Sequence, residues 1–323
     1  MGRELYATYP AFARTFDTVT QALDPHLTQH LPHHPTIPHH PLHTIILAPP
    51  HTPHAQLLNH TIYTQPALFT IEVALHHLLT TWGITPHLLT GHSLGEITAA
   101  HLAGTLTLHD AAHLITTRAH LMQTLPPGTM TAIQATQEEI QHSITQHNAT
   151  TTATIAATNS PHNTVISGNP HTIQTLTHHW QQQNRKTTPL NTQHAYHSHH
   201  TNTILPTFHH TTQQLTYHPP HTPIISNQTG TTATTQQLTN PTYWTQHIRN
   251  TVHYHQTTNT LHQHHTTTYI ETGPGHTLTT LTHHTLNQHT PTNPPPLLLT
   301  TLQPNQPETH TLHTTLATLH THG

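Results

Sequence analysis

The sequence contains no cysteine, which excludes disulfide bonds and thiolate metal sites. Charged side chains are also rare: six are basic and ten are acidic among 323 residues. So few cations, with no basic stripe, argue against nucleic-acid binding, which needs a positive surface. No run of about 18 apolar residues is present, so an ordinary transmembrane helix is not predicted. Residues 1–13 contain no apolar core of a secretory signal. We therefore expect a cytoplasmic protein without membrane or nucleic-acid partners.

Histidine, threonine, glutamine and proline take the place of the missing charges, and histidine alone occurs 46 times. Disordered chains usually combine a high net charge with no apolar periodicity. Here the formal net charge is only −4 and apolar residues recur at helical spacing, so we expect a folded chain. Most histidines are interpreted as surface residues without a specific role. A functional metal site is not predicted, because the histidine clusters have no ordered ligand spacing.

The order of predicted helices and strands indicates an α/β fold that contains an insertion. Helical periodicity predicts helices over residues 2–23, 64–83 and 110–124. Residues 128–190 are predicted to form strand, helix, strand, strand, helix and strand, which is the order of a ferredoxin-like module. The larger unit resumes at residue 191 and is followed by a proline-rich connection and a terminal helix.

One short motif, GHSLG at residues 91–95, escapes the compositional bias of the chain. It matches G-x-S-x-G, the turn between a strand and a helix that exposes a nucleophilic serine. A predicted strand before it and a predicted helix after it favour this interpretation over a chance Gly-Ser turn. We expect a side chain at either glycine to collide with the neighbouring backbone. The amide of Leu94, at the start of the helix, is a candidate oxyanion donor.

The nucleophile candidate, Ser93, needs a general base, but 46 histidines leave that base undetermined from composition alone. Four segments taken together carry more information: YTQPALFTIEVAL (63–75), GHSLGEITAAHLAG (91–104), HAYHS (194–198) and ETGPGHTL (271–278). In this order they resemble the acyltransferase domains of modular type I polyketide synthases, which are relatives of the malonyl-CoA:acyl-carrier-protein transacylases. The resemblance covers nearly the whole chain.

The resemblance implies a fold and a division of the chain. Residues 1–127 and 191–288 correspond to an α/β-hydrolase-like large subdomain, and residues 128–190 to an inserted ferredoxin-like small subdomain. Residues 289–323 correspond to the linker that follows the acyltransferase and packs against a neighbouring ketosynthase.

The resemblance also implies a reaction and the residues that perform it. Malonyl-CoA loads Ser93, with His197 as general base, and the pantetheine thiol of an acyl carrier protein then takes the malonyl group. A backbone carbonyl, which we assign to His253, orients the base in place of an acidic residue. Arg118 matches the arginine that holds the free carboxylate of the extender unit, since a guanidinium grips a carboxylate through two parallel bonds. No bound cofactor is expected.

Three residues bear on the choice of extender unit: His194, Tyr196 and Leu94. The segment HAYH (194–197) is an aromatic variant of the form that malonyl-using relatives show. The ring of Tyr196 would fill the space that an α-methyl group needs, so we expect malonyl transfer, with methylmalonyl transfer as the alternative. Exclusion of one methyl group by a hydrophobic side chain discriminates between the two substrates by only about 1 to 3 kcal/mol.

The N-terminus departs from the family pattern. Relatives begin with a strand that ends in a Gly-Gln-Gly-Ser-Gln-like turn, shortly before a segment like MGRELY, which occupies residues 1–6 here. The glutamine of that turn supplies the second oxyanion amide in the family. From the sequence we expect either a misassigned start codon or a truncated piece, with weak activity.

Two other classes of function stay open at this point. A serine hydrolase or thioesterase would also use the motif at 91–95, although an arginine for a carboxylate does not help simple ester hydrolysis. A catalytically inactive fragment with a scaffold role is the second alternative.

Overall fold

Two α/β units of unequal size are interleaved along the chain. The structure is a computed structural model that describes residues 1–31, 37–289 and 294–322. The first part of the large unit contains α1 (Arg3–Thr8), α2 (Pro10–His30), α3 (Leu42–Ile46), α4 (Pro53–Gln56), α5 (Thr61–Thr81), β1 (Leu89–Thr90), α6 (Leu94–Leu102) and α7 (Leu108–Gln123). The small unit follows, with β2 (Thr129–Ile133), α8 (Gln137–Gln146), β3 (Ala153–Ser160), β4 (Asn163–Gly168), α9 (Pro170–Gln182) and β5 (Thr187–Pro189).

The remaining elements complete the large unit. They are α10 (Leu205–Gln214), β6 (Ile224–Ile225), α11 (Thr235–Leu238), α12 (Pro241–His247), α13 (Tyr254–Gln263), β7 (Thr268–Glu271), α14 (Thr277–Leu286), β8 (Leu297–Thr300) and α15 (Glu308–His322). None of the helices in the described part of the chain has the length and apolarity needed to cross a membrane.

The N-terminal helix is broken where the sequence predicted it to be continuous. Tyr9 is extended, with φ −114° and ψ 104°, between α1 and α2. The residue before a proline is pushed out of the helical region by the proline ring, and Pro10 is itself well suited to the first position of α2. The prediction of one helix over residues 2–23 was therefore wrong at this position.

Helices α2, α5 and α7 pack against one another and form the core of the large unit. The rings of Phe12, Phe16 and Phe69 are fully buried among them. The helix that the sequence predicted at 64–83 is confirmed as α5, which buries residues on most of its sides. The helix begins at Thr61, so Pro66 lies in its second turn.

The strands of the large unit form two parallel pairs. Leu89 of β1 pairs with Ile224 of β6, and Thr268 of β7 pairs with Leu297 of β8. Strand β8 and helix α15 belong to residues 289–323, which the sequence assigned to a linker. Helix α15 caps α1, because the Glu308 carboxylate accepts the Gly2 amide at 2.8 Å. Residues 290–293 and 323 of the predicted linker lie outside the described residues.

The small unit has the succession of strands and helices along the chain that the sequence predicted. Its antiparallel sheet runs β3-β4-β2-β5, and α8 and α9 pack on it. Helix α8 begins with a capping box in which Thr136 and Glu139 bond to each other's backbone amides. The unit is joined to the large one at Val252, whose amide donates to the Ala156 carbonyl at 2.9 Å. This junction places β3 beside the GHSLG motif.

Candidate active site

Ser93 lies in a strained turn between β1 and α6, which confirms the predicted strand and helix on its two sides. Its backbone has φ 51° and ψ −112°, a conformation that side-chain-bearing residues rarely adopt. A Cβ atom at Gly91 would lie 1.9 Å from the carbonyl carbon of Gly95, so only glycine fits there. The expected collision at Gly95 was wrong, because a Cβ at this position meets nothing within 4 Å.

The two glycines of the motif are therefore expected to respond differently to alanine. Gly91→Ala should lower the free energy of unfolding by about 3 kcal/mol or more, since the backbone of α6 must move away. Gly95→Ala should change it by less than about 1 kcal/mol, because alanine suits a helix better than glycine does. Denaturant unfolding of the two variants measures both effects. Equal losses in the two variants would show that the turn does not depend on this close approach.

The hydroxyl of Ser93 is hydrogen-bonded to a histidine. Its Oγ lies 2.7 Å from Nε2 of His197, and Nδ1 of the same ring lies 2.8 Å from the Asn250 carbonyl. Because a carbonyl only accepts, Nδ1 carries the proton and Nε2 is left to accept the serine proton. Burial, reinforced by the nearby Arg118 guanidinium, lowers the pKa of His197 to about 3. The imidazole is therefore neutral at pH 7 and able to act as a base.

The carbonyl that orients His197 belongs to Asn250, and the assignment to His253 was wrong. His253 is the N-cap of α13, and its carbonyl accepts the Thr257 amide at 2.9 Å in the first turn of that helix. That carbonyl is thereby directed along the helix axis. Asn250 precedes the helix, in the loop after α12, where its carbonyl is free to meet the imidazole. The sequence identified the correct segment for the orienting carbonyl, but the residue assigned there, His253, is three positions after Asn250.

Arg118 approaches the serine hydroxyl from α7. Its Nη2 donates to the Ser93 Oγ at 2.8 Å, and its Nη1 donates to the Gln65 amide oxygen. The side chain is only 3% exposed, and burial lowers its pKa to about 10, so the guanidinium is still charged at pH 7. No carboxylate of the described residues forms an ion pair with it. A buried cation without a counter-ion is costly, which makes this position favourable for an anionic ligand.

Two residues of the HAYH segment line the same region. Burial raises the pKa of Tyr196, whereas a hydrogen bond from the Thr61 side chain and the charge of Arg118 act in the opposite direction. The tyrosine ring is half-buried between the core of the large unit and the junction with the small one. His194 is buried, and its ring lies 6.1 Å from that of Tyr196.

The third predicted specificity residue, Leu94, has two separate roles in the structure. It is the first residue of α6, so its amide has no acceptor within the helix. Its side chain is buried in the core of the large unit. The amide is therefore available to donate to a group outside the helix.

Sequence reasoning missed Gln65 and the pair formed by His92 and Asn159. Gln65 holds Arg118 from α5, and its place within YTQPALF was the available signal. The Asn159 amide oxygen lies 2.9 Å from Nε2 of His92, which ties the small unit to the elbow. Nothing in the local sequence around Asn159 pointed to this contact, because the two residues are 67 positions apart.

A serine on a strand-turn-helix elbow, hydrogen-bonded to a buried histidine and a buried arginine, is an arrangement suited to an acyltransferase. Residues 1–323 match the family described as acyl transferase domain, and the chain belongs to that family. It is an acyltransferase domain of the modular type I polyketide synthase kind.

Relatives of known sequence and structure agree with this assignment. The chain is 37% identical over 312 residues to the spectinabilin polyketide synthase system protein NorB of Streptomyces orinoci, a match that covers 96% of the chain and 14% of that protein. It superimposes with a TM-score of 0.86 and 34% identity on the acyltransferase domain from the second module of the salinomycin polyketide synthase, covering 99% of the chain and 70% of that structure. FabD from Acinetobacter baumannii shares the fold, with a TM-score of 0.81 and 24% identity over 98% of the chain and 94% of that structure.

Proposed function

We propose that the chain transfers a malonyl group from malonyl-CoA, through an ester on Ser93, to the pantetheine thiol of an acyl carrier protein. The observation that carries this proposal is the charged guanidinium of Arg118, which is buried, unpaired with any described carboxylate, and 2.8 Å from the Ser93 Oγ. A malonyl thioester brings a free carboxylate and a reacting carbonyl that are separated by a single methylene group. The arginine and the serine are spaced to receive the two together.

The first half-reaction follows from the hydrogen bonds of Ser93. Nε2 of His197 takes the serine proton as Oγ attacks the thioester carbonyl, and the Leu94 amide donates to the oxygen that becomes negative. The tetrahedral adduct collapses with cleavage of the carbon–sulfur bond, and the proton on His197 passes to the CoA sulfur. Ser93 is left as a malonyl ester with a neutral histidine beside it.

The second half-reaction reverses these steps with a different thiol. His197 takes the proton of the pantetheine thiol, the sulfur attacks the seryl ester, and the proton returns to the Ser93 Oγ. No atom or electron is left over, and no metal or cofactor enters either half. The Asn250 carbonyl stabilises the imidazolium that exists briefly in each half, because it is hydrogen-bonded to Nδ1.

The proposed partners are an acyl carrier protein and a neighbouring ketosynthase. The support for these partners comes from the relatives, which are polyketide synthase proteins much longer than the chain. The chain spans 14% of NorB, a polyketide synthase system protein, and 6% of GfsB of Streptomyces halstedii, a polyketide synthase. A carrier thiol is also the acceptor that the reaction needs after Ser93 has been loaded.

Incubation of the chain with malonyl-CoA, followed by mass measurement of the intact protein, tests the proposal. A mass increase of one malonyl group on the peptide that contains Ser93, and its transfer to an added carrier protein bearing phosphopantetheine, is the expected result. Rapid release of free malonate without transfer would indicate a hydrolase. A chain that never becomes acylated would contradict the proposed function.

The Tyr196 ring is expected to discriminate against an α-methyl group. Tyr196→Ser should raise the kcat/KM for methylmalonyl-CoA relative to that for malonyl-CoA by roughly tenfold, the value of one methyl-sized wall. Tyr196→Phe is the matched control, since it keeps the ring, and it should keep the malonyl preference. Competition assays with the two CoA esters measure the ratio. Unchanged selectivity in the serine variant would contradict a gating role.

A further inference from the structure

A fully buried carboxylate lies directly beneath the nucleophile elbow. Glu96 follows Ser93 by three residues on α6 and has no exposed surface. One of its oxygens accepts the Asn227 backbone amide at 2.6 Å and the Asn227 side-chain amide as well. Its other oxygen accepts the Tyr243 hydroxyl. Nothing in the reaction described above uses this group, although it is one of only ten acidic residues in the chain.

Asn227 joins this carboxylate to both sides of the site. Its side-chain amide also donates to the Gly91 carbonyl at 2.8 Å, which holds the first residue of the elbow. Its backbone carbonyl accepts the His253 amide at 2.6 Å, which holds the start of α13. Asn227 follows β6 and is itself buried, with 1% exposure. One asparagine therefore connects the turn that carries the nucleophile with the segment that follows Asn250.

Helix α12 brings the other end of the same segment to Glu96. Tyr243 donates to the carboxylate from this helix, and Nε2 of the buried His247 lies 3.9 Å from it. The chain continues from α12 into Asn250, whose amide donates to the Gln246 carbonyl at 2.9 Å. Glu96 thus anchors the segment before Asn250, and Asn227 anchors the segment after it.

We propose that Glu96, Asn227 and Tyr243, which we call the elbow clamp, are positioning residues that set the distance between the Ser93 Oγ and His197. The serine and the carbonyl that orients the histidine are on separate segments of the chain. The clamp bonds to both segments, so it fixes one relative to the other. An error of about 1 Å in such a geometry can cost roughly 100-fold in rate. This inference rests on the proposed function, because it assigns a role within the same site.

Burial has a second consequence that agrees with the geometry. It raises the pKa of Glu96 to about 7, although the bonds from Tyr243 and Asn227 counteract this effect. A carboxyl that receives three donors is kept in one orientation whether or not it is ionised. An isosteric amide at this position can still accept both Asn227 bonds through its oxygen, and its NH₂ group can donate to the Tyr243 hydroxyl.

Glu72 of α5 provides a matched control, because its side chain contacts α6 on the face opposite to Glu96. Its carboxylate accepts the Thr98 hydroxyl of α6 at 2.5 Å, and burial raises its pKa to about 7. It belongs to α5 and makes none of the bonds to β6 or α12 that define the clamp. Loss of Glu72 therefore removes a carboxylate that is hydrogen-bonded to α6 and leaves every bond of the elbow clamp in place.

The test compares Glu96→Ala, Asn227→Ala, Glu96→Gln and Glu72→Ala in the loading of Ser93 by malonyl-CoA under single-turnover conditions. We expect Glu96→Ala and Asn227→Ala to lower the maximal loading rate by roughly 100-fold. The malonyl-CoA concentration that gives half the maximal rate should change little, because Arg118 and Gln65 are untouched. Glu96→Gln should recover most of the rate, and Glu72→Ala should retain it. Thermal unfolding and circular dichroism establish which variants are folded.

Each outcome bears on the clamp. Folded Glu96→Ala and Asn227→Ala proteins that load as fast as Glu72→Ala would overturn it. If Glu96→Ala does not fold, Asn227→Ala decides, since it removes the three side-chain bonds, to Gly91, Glu96 and His247, and keeps both backbone bonds. A parental chain that malonyl-CoA does not load contradicts the proposed function alone. In that case the reaction of Ser93 with a fluorophosphonate, which needs only the Ser93–His197 pair, measures the same four variants.

Discussion

Ser93→Ala is expected to abolish malonyl loading and to lower acyl transfer by roughly 10⁴-fold or more, as in other enzymes that lose a catalytic serine. The variant removes the atom that forms the ester and leaves His197 and Arg118 without their shared partner. The Oγ is 2.7 Å from the imidazole and 2.8 Å from the guanidinium, so it is hydrogen-bonded to both groups. Intact-mass measurement after incubation with malonyl-CoA, together with steady-state transfer to a carrier protein, gives both readouts.

Ser143→Ala is a suitable control for that variant. Ser143 is also a buried serine, with 3% exposure, but it lies on α8 in the small unit and its hydroxyl has no hydrogen-bond partner among the described residues. Removal of an unpartnered hydroxyl should leave loading unchanged. If Ser93→Ala retained malonyl loading, the acyl group would have to be carried elsewhere and the proposed mechanism would be wrong.

Arg118→Ala is expected to remove the preference for a dicarboxylic acyl group. The loss of a buried, charge-assisted bond costs about 2 to 5 kcal/mol, so the kcat/KM for malonyl-CoA should fall by roughly 30-fold or more. Acetyl-CoA has no free carboxylate and should lose much less. Any general damage to the site affects both esters equally, and the ratio of the two kcat/KM values therefore isolates the carboxylate contact.

Two further arginine variants sharpen the interpretation. Arg118→Lys keeps the positive charge and loses the planar fork, so we expect it to recover only part of the malonyl activity. Arg14→Ala removes an exposed arginine of α2 and should leave the ratio unchanged. If Arg118→Ala lowered malonyl and acetyl transfer by the same factor, the arginine would serve the serine or Gln65 and not the substrate carboxylate.

The features that sequence alone predicted well depend on short-range rules. The GHSLG motif required a strand before it and a helix after it, and both are present at β1 and α6. Residues 128–190 alternate between apolar strands and amphipathic helices, and the resulting sheet has the predicted ferredoxin-like arrangement. Spacing within a segment decides these features, so a strong compositional bias toward histidine and threonine did not obscure them.

The predictions that were wrong depended on the direction of a backbone group or on a contact between distant segments. Whether a Cβ at Gly95 collides depends on where the first turn of α6 points, and that direction is open. The choice between Asn250 and His253 depends on where helix α13 begins, because a carbonyl inside a helix is already bonded to an amide. Strand β8 lies in a stretch that appeared to be a linker, and its pairing with β7 was needed to reveal it as a strand.

The sequence by itself determined the elbow, from its local motif, and the family, from which the resemblance singled out His197 and Arg118 as the partners of Ser93. The structure places both within 2.8 Å of the Ser93 Oγ. Only the tertiary structure decided which groups surround them. Gln65, Asn250 and the elbow clamp act across separations of up to 147 residues, as between Glu96 and Tyr243. Contacts over such distances arise from the packing of whole helices and strands, so a local pattern can mark a residue but does not specify its partner.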